Sequence, residues 1–523
     1  MTASRTVQLA AFALVISLYA AARIWGMTGS CLWFDEIFSI HAAEHPWNSI
    51  FSFVSLDLIH PPLFYVLLKL WISIGGESLL WLRSFPVAIS VIAVFPFIAL
   101  CRELKLSVWT QILALFLFAV NGSLIKYAQE VRMYSLLLCL SLFSMWLFVR
   151  FVNRGVGYVP LIIVNVLMVY THYFGWLVVL TEVGLVLWFQ RTKLREALIM
   201  AAIAAAAFLP WIIAVASAAL GGSDVGQNIG WMSRPGPTEI FNFVLDVVEP
   251  FYYQASSAEP SSYFVVSIPI VLLIGAAKLG YLTKERSESD RCNFSILGAF
   301  TGIPIAIALI VSWLTPYSIW GTRHLIIAFP PMLILSAVFL TGIDNKTLSR
   351  IAATCLGVLV AIGFAVNANR LLPDYSWCVW EPLTKDWILA PHYSSEPKQV
   401  FVTEELIGYH IWFAARKFPG HKIDVIKGIP GTSGDPAYFL PRGFDEVKVI
   451  EPEAAFSASE FWVAFRDPDP DHDAPGIPFI SRLPRVISEL GRLGFEPEDV
   501  RKERVGNESV FFAKMVRRPA PDP

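Results

Sequence analysis

The stretch CLWFDEIFSIHAAEHPW, residues 31–47, places two adjacent carboxylates, Asp35 and Glu36, just after the first long apolar run and behind Trp33 and Phe34. Ionised carboxylates are among the groups a bilayer tolerates least, whereas aromatic residues of this kind sit at headgroup level. A carboxylate at such a mouth can take a proton from a hydroxyl, and cations near it can stabilise a departing anion. Four further stretches carry groups suited to the same task. His60 opens HPPL, the turn YAQEVRMY concentrates Gln129, Glu130, Arg132 and Tyr134, and THYF and TRH add His172, Tyr173, Arg323 and His324. Each has an ordinary explanation when taken alone. The acids can be solvated loop residues, Arg132 can snorkel to headgroups, His172 can be a hydrogen-bonded interfacial imidazole, and Arg323 can anchor the helix that follows it. As a set they put polar groups at one end of otherwise apolar segments, the pattern of a site walled by lipid-facing helices.

The elements that must position them follow from hydropathy. The 523 residues are 55% hydrophobic and 16% charged, with a mean hydropathy of +0.57, too apolar for a soluble domain of this length. Runs of roughly 20 apolar residues predict spans near 8–27, 82–101, 108–126, 133–151, 158–172, 174–190, 197–220, 264–282, 293–314, 324–342 and 350–371, about eleven crossings. The segment after MTASRTVQ has no small-residue cleavage site, so it reads as a retained first helix. The short loops CRELKLS, RFVNRG, QRTKLRE, KLGYLTKERSESDRC and DNKTLSR are basic and fall on the side of Arg5. That side is therefore the expected cytoplasmic one. All the singled-out residues then lie on the external side, with a long loop at 221–263 and everything after about Leu372.

One external segment, HPPLFYVLLKLWISIGG, is too short to cross. Pro61 and Pro62 suit its start and Gly75 and Gly76 its stop. Leu63, Val66, Leu67, Leu70, Trp71 and Ile74 recur at helical spacing, which predicts a helix lying along the membrane surface. After about Leu372 the chain turns rich in charge, Pro and Gly. It carries strand-like runs QVFVT, KIDVIKG, EFWVAFR and SVFFAKMV, and a helix-like RVISELGRLGF between the last two. The expected organisation is a mainly α fold: a polytopic helix bundle over 1–371, with external interfacial helices, and a small external α/β domain over 372–523. No internal repeat is visible.

Composition also removes function classes. A net charge of −2 argues against a nucleic-acid partner, because phosphate-backbone binding needs a surplus of Lys and Arg. The six cysteines include no CxxC pair and no zinc spacing, so neither a redox motif nor a metal site is supported, and most read as buried, inert thiols.

WFDEIFS, HPPLFYVLLKLW followed by WLRSFP, YAQEVRMYSLL, THYFG and TPYSIWGTRHLI together resemble the GT-C superfamily of polyprenyl-phosphate-sugar-dependent glycosyltransferases. The likeness is strongest to bacterial proteins grouped with the protein O-mannosyltransferases and the aminoarabinose transferases, and runs over residues 8–371 in motif order. His60 matches the mannosyltransferase version of the HPPL stretch, where the aminoarabinose transferases carry Lys. The resemblance implies that Asp35 is the catalytic base and that the loop at 221–263 helps cover the site. It further implies a polyprenyl-phosphate-linked sugar donor, a lipid, glycan or protein acceptor, membrane lipids as surroundings, and a multi-pass protein of the cell inner membrane. The C-terminal domain is not shared with the mannosyltransferases' extra lumenal module.

The chemistry so implied is a single displacement with inversion. An acceptor hydroxyl attacks the anomeric carbon, Asp35 takes its proton, and Arg132, Arg323 and His60 meet the leaving phosphate. Glu36 would have an orienting or acceptor-binding role; Gln129, Glu130, Tyr134, His172, Tyr173 and His324 complete the expected donor site. No cofactor is expected, although a divalent metal stays open. The competing classes are a transporter or flippase of a lipid-linked or small solute, and a receptor whose working part is the C-terminal domain. Charges are sparse within the helix centres and no pair of broken helices or inverted repeats is evident, which speaks against transport.

Overall fold

The computed structural model describes residues 2–223, 225–251, 263–283, 285, 287–368, 376–389, 398–418, 420–426, 440–451, 457–467, 485–505 and 508–518. The chain divides into two compact units, one of Met1–Gly29, Ser39–Gln254 and Glu259–Leu371, the other of Ser30–Phe38, Ala255–Ala258 and Leu372–Pro523.

The first unit is helical. Among the described residues, eight stretches are long and apolar enough to cross a membrane: Arg5–Ile24, Leu79–Glu103, Tyr134–Arg154, Arg191–Leu220, Phe264–Leu282, Asp290–Leu314, His324–Thr341 and Lys346–Val366. All eight coincide with spans expected from hydropathy. The other three expected spans are helices too, but shorter: Val108–Val120, Tyr158–Val169 and Gly175–Phe189. Large apolar side chains such as Leu14, Leu209, Leu272, Trp313 and Val358 remain exposed on the long helices, as lipid-facing surfaces require.

Numbered along the chain, the helices of this unit are α1 (Thr2–Ile24), α2 (Phe34–Glu44, whose first turn falls in the second unit), α3 (Ile50–Leu56), α4 (Leu63–Gly75), α5 (Leu79–Glu103), α6 (Val108–Val120), α7 (Gly122–Gln129), α8 (Tyr134–Arg154), α9 (Tyr158–Val169), α10 (Gly175–Phe189), α11 (Leu194–Leu220), α12 (Gly226–Ile229), α13 (Pro237–Val248), α14 (Ile268–Leu282), α15 (Glu288–Leu314), α16 (Phe329–Thr341) and α17 (Lys346–Ala368). Local chemistry sets several boundaries. The Ser78 and Ser107 side chains accept the N–H groups of Trp81 and Thr110 at the starts of α5 and α6, each filling one of the orphan donors of a helix N-terminus. The span expected at 108–126 breaks at Asn121, whose side-chain oxygen accepts Leu124 N–H at 2.8 Å and so starts α7.

Helix α4 starts after Pro62, and Gly76 follows its end at φ +81°. It buries Phe64, Tyr65 and Leu68, while Leu70 and Ile74 of the expected apolar face stay exposed. That is the distribution of a helix whose apolar stripe faces lipid rather than protein. Part of the loop at 221–263, residues 224 and 252–262, lies outside the described residues.

The second unit is built on a six-stranded mixed sheet. Its strands are β1 (Lys398–Val402), β2 (His421–Ile426), β3 (Val447–Ile450), β4 (Glu460–Asp467), β5 (Phe495–Val505) and β6 (Glu508–Arg517), in the order β3-β2-β1-β4-β6-β5. β3, β2, β1 and β4 pair in parallel; β6 runs antiparallel to β4 and to β5. One core cluster unites β1, β2, β4 and β6 residues with α18 (Trp380–Leu389) and α19 (Glu405–Ala415), including Val402, Val425, Trp462, Phe512, Trp380 and Tyr409. The other joins Phe401, Phe461, Phe465 and Phe511 to Val486, Ile487 and Leu490 of α20 (Arg485–Arg492). The four expected strands and the expected helix are all present; β3, β5, α18 and α19 are additions that the sequence patterning did not single out.

Two cysteines depart from the reading as inert thiols. Cys31 and Cys378, 347 residues apart in sequence, form a disulfide within the second unit. Of the free thiols, Cys101 and Cys139 are buried, whereas Cys292 is half-buried and Cys355 exposed, so only two of the six fit the expected buried state.

Candidate active site

In the first unit four polar side chains form a continuous chain of hydrogen bonds. The Asp57 carboxylate lies 2.6 Å from His60 Nδ1, and His60 Nε2 lies 3.1 Å from an Arg132 guanidinium nitrogen. Arg132 also donates to the Ser39 hydroxyl at 3.3 Å. Guanidinium can only donate and an ionised carboxylate can only accept. His60 is therefore the neutral tautomer with its proton on Nδ1, and its Nε2 lone pair orients Arg132. Arg132 and Ser39 are almost wholly buried, and His60 is 7% exposed.

Three local features hold this chain in place. Leu58, between Asp57 and His60, sits at φ +63°, a left-handed conformation that a bulky residue adopts only when its surroundings impose it. The Tyr173 hydroxyl donates to the Leu58 carbonyl at 3.1 Å, and Trp211 Nε1 donates to Tyr173 at 3.3 Å. Asn228, in α12, donates its amide to both the backbone carbonyl and the carboxylate of Asp57. The segment at Asn228 thus supports the carboxylate that holds His60.

The remaining histidines form a wall next to His60. His60 and His172 have ring centroids 6.1 Å apart, His172 and His324 5.5 Å apart, and Phe174 lies 5.3 Å from His324. The Tyr134 ring stands 6.3 and 6.5 Å from His172 and His324. Hydrogen-bond roles fix protonation here as well. The Phe174 backbone N–H donates to His172 Nδ1 at 3.1 Å, so that nitrogen carries no proton and the ring is neutral with its N–H on Nε2. His324 Nδ1 faces the Ile319 carbonyl at 3.3 Å and must be the donor. Two glycines make room for this packing. A Cβ at Gly321 would lie 3.0 Å from His324 Nδ1, and one at Gly175 would lie 2.9 Å from the Met168 carbonyl. Arg323 lies over the Trp231 ring with its guanidinium carbon 5.4 Å from the ring centroid, a cation–π contact.

Two of the residues expected to bind the donor also make backbone contacts. The Gln129 amide donates to the carbonyls of Arg23 and Trp25 at 2.9 and 2.8 Å, satisfying acceptors at the C-terminal end of α1. Glu130 contributes its carbonyl, which accepts the Arg132 N–H at 2.7 Å in the tight turn between α7 and α8.

Asp35 and Glu36 occupy the first turn of α2, inside the second unit. The Glu36 carboxylate accepts the Trp33 backbone N–H at 2.9 Å, the reach-back half of a capping box. The second acid thus has a structural reason to follow the first, and it is buried. Asp35 is half-buried and lies one turn before Ser39 on the same helix face, because residues four apart stack in a helix. Asp57, Ser39 and Asn228 were missed by sequence reasoning. Asp57 had a signal, an acid three residues before His60 in DLIHPP; Ser39 and Asn228 had none. Among the described residues no group of three or more His, Cys, Asp or Glu side chains is arranged to hold a metal ion.

No protein-family model matches this chain, and no curated protein matches it. Among solved structures it aligns with ArnT from Cupriavidus metallidurans in the apo state over 98% of both chains, at 11% identity and a TM-score of 0.58. With ArnT from the same organism bound to Undecaprenyl phosphate it aligns over 98% of both chains, at 12% identity and a TM-score of 0.54. The Archaeoglobus fulgidus oligosaccharyltransferase, in a complex with Zn and sulfate, aligns at 16% identity and a TM-score of 0.49 over 77% of this chain and 61% of that one. The chain therefore spans about three fifths of that protein's length. The end-to-end alignment with ArnT establishes the architecture: this chain has the ArnT-like GT-C fold, a bundle of membrane helices followed by a small sheet domain.

Proposed function

We propose that this protein is a membrane glycosyltransferase that moves a sugar from a polyprenyl-phosphate carrier to an acceptor hydroxyl on the external membrane face. The observation that carries the reading is the buried Arg132, aimed by a neutral His60 and by Ser39 in a wall of uncharged imidazoles. A guanidinium oriented in this way can meet a phosphate with two parallel hydrogen bonds. In the reaction the acceptor oxygen bonds to the anomeric carbon as the bond from that carbon to the phosphate oxygen breaks. Asp35 receives the hydroxyl proton, and the polyprenyl phosphate leaves as an anion met by Arg132 and Arg323. One displacement inverts the anomeric centre; a retaining route would need a second carboxylate as nucleophile, and Glu36 is committed to its helix cap. His172, Tyr173, His324 and Tyr134 shape the donor site, while Gln129 and Glu130 support it through the backbone.

Three further observations support the reading. The fold is that of ArnT, one of whose structures holds Undecaprenyl phosphate. The Cys31–Cys378 disulfide belongs to an oxidising compartment, in accord with an external C-terminal domain at a cell inner membrane and a cytoplasmic N-terminus. The basic loops agree with that orientation. Membrane lipids surround the bundle, and a lipid, glycan or protein supplies the acceptor. The test is to incubate the purified protein in detergent with a panel of labelled polyprenyl-phosphate sugars. Saturable binding and slow hydrolysis of at least one donor is the expected result. No binding to any of them, combined with solute movement in proteoliposomes, would replace this reading with transport.

A further inference from the structure

The second unit is more than an appended domain, because the residues around the proposed base are part of its core. Ser30–Phe38 clusters with the C-terminal unit rather than with the helix bundle. Ile37 is 2% exposed and packs in one cluster with Trp377, Trp380 and Tyr409. Phe34 meets Tyr409 edge-on with centroids 5.1 Å apart, and Trp33 meets Trp377 in the same way at 5.9 Å. Four residues before Asp35, Cys31 is bonded to Cys378.

From these contacts we infer that the C-terminal domain positions the base: Phe34, Ile37 and the Cys31–Cys378 link set the rotation of the first turn of α2 and hence the direction of the Asp35 carboxylate. The inference rests on the reading of Asp35 as the base. At 100° per residue Phe34 and Ile37 share one side of the helix, and Asp35 projects about 130° away from their mean direction, on the side of Ser39. Two apolar knobs seated in a domain core on one side therefore leave the acid no freedom to turn. The Glu36 cap fixes where the helix begins, which sets its register, while the knobs set its phase. A short helix start rich in aromatic residues could not hold this orientation alone, because an isolated turn is only marginally stable. The domain supplies the tertiary contacts that the local sequence lacks.

The test uses the full-length protein in detergent with Ile37→Ala, Ile37→Val and Cys378→Ala, none of which alters a group assigned to donor or acceptor. Hydrogen exchange over residues 34–44 and over α19 is measured beside turnover and donor affinity. Expected for Ile37→Ala and Cys378→Ala is faster exchange in the 34–44 peptide, with turnover falling about 10- to 100-fold, the usual result of a small misplacement of a reacting group, and donor affinity held within about twofold. Ile37→Val should keep most of the turnover. Unchanged exchange at 34–44 in both Ile37→Ala and Cys378→Ala overturns the inference, and so does a parallel fall of turnover and donor affinity. If the parent transfers no sugar from any donor, it is the assignment of Asp35 as base that fails, while the exchange result still decides whether the segment is held by the domain.

Discussion

Asp57→Asn is the sharpest probe of the Arg132 arrangement, because the change keeps the shape of the side chain and removes only one acceptor and the charge. In the parent, one carboxylate oxygen takes the His60 Nδ1 proton and the other takes the Asn228 amide, at 2.6 and 3.2 Å. An amide has one oxygen and one NH2 group, so it can satisfy only one of these two donors. If its oxygen faces His60, its NH2 meets the Asn228 NH2. If its NH2 faces His60, the imidazole must move its proton to Nε2, which then points at the guanidinium of Arg132, donor against donor. Leaving one such donor without an acceptor costs about 1–3 kcal/mol. A central value of about 2 kcal/mol corresponds to roughly 30-fold in transfer. The assay is turnover and donor affinity in detergent, with thermal unfolding as a control. Donor affinity should fall with turnover, because the proposed role has Arg132 meeting the phosphate both before and after transfer. The Asp57→Asn protein matching the parent in both quantities would show that His60 does not orient Arg132.

Asp35→Asn should keep donor binding while transfer falls by something on the order of 10²–10⁴, the range for a lost general base; Glu36→Gln, which keeps an oxygen for the Trp33 N–H, should cost far less, and the reverse ranking would exchange their roles. Arg132→Lys should weaken donor use because an ammonium cannot make two parallel hydrogen bonds to phosphate, and Arg132→Gln should nearly abolish it; equal donor affinity in the Lys variant would return Arg132 to a membrane anchor. Burial pushes the His410 imidazole down to about 4, with its bond to the Leu406 carbonyl opposing the shift. This stabilisation of the C-terminal domain is complete above the unfolded value near 6.5 and is lost as pH falls from there to about 4, a difference of about 3 kcal/mol. His410→Phe, which keeps a ring against Trp377, should flatten the domain's unfolding midpoint over that interval, and an equally steep acid dependence in the variant would place the sensitivity elsewhere.

How much of this was legible in the sequence depends on the range of the interaction. The eleven apolar segments are helices because a run of apolar residues near membrane length has few other ways to satisfy its backbone, and that property is local. Punctuation is equally local: Pro61 and Pro62 start α4 and Gly76 ends it. The four strand-like runs and RVISELGRLGF read correctly from their periods. The composition of the site was also visible, as polar residues stranded at helix ends. Its wiring was not. That Asp57 faces His60 is suggested by a spacing of three, but that His60 accepts from Arg132, 72 residues away, and that Asn228 reaches Asp57 across 171 residues, depend on how the helices pack. The backbone bonds of Gln129 and Glu36 were equally invisible: that the amide meets the Arg23 carbonyl and the carboxylate the Trp33 N–H follows only from the folded chain. The cysteines make the point most plainly. Nothing in their spacing pairs Cys31 with Cys378, because a disulfide needs only that two Cα atoms come within about 7 Å, and only the tertiary structure brings a residue from the start of the chain into the core of a domain made by its end.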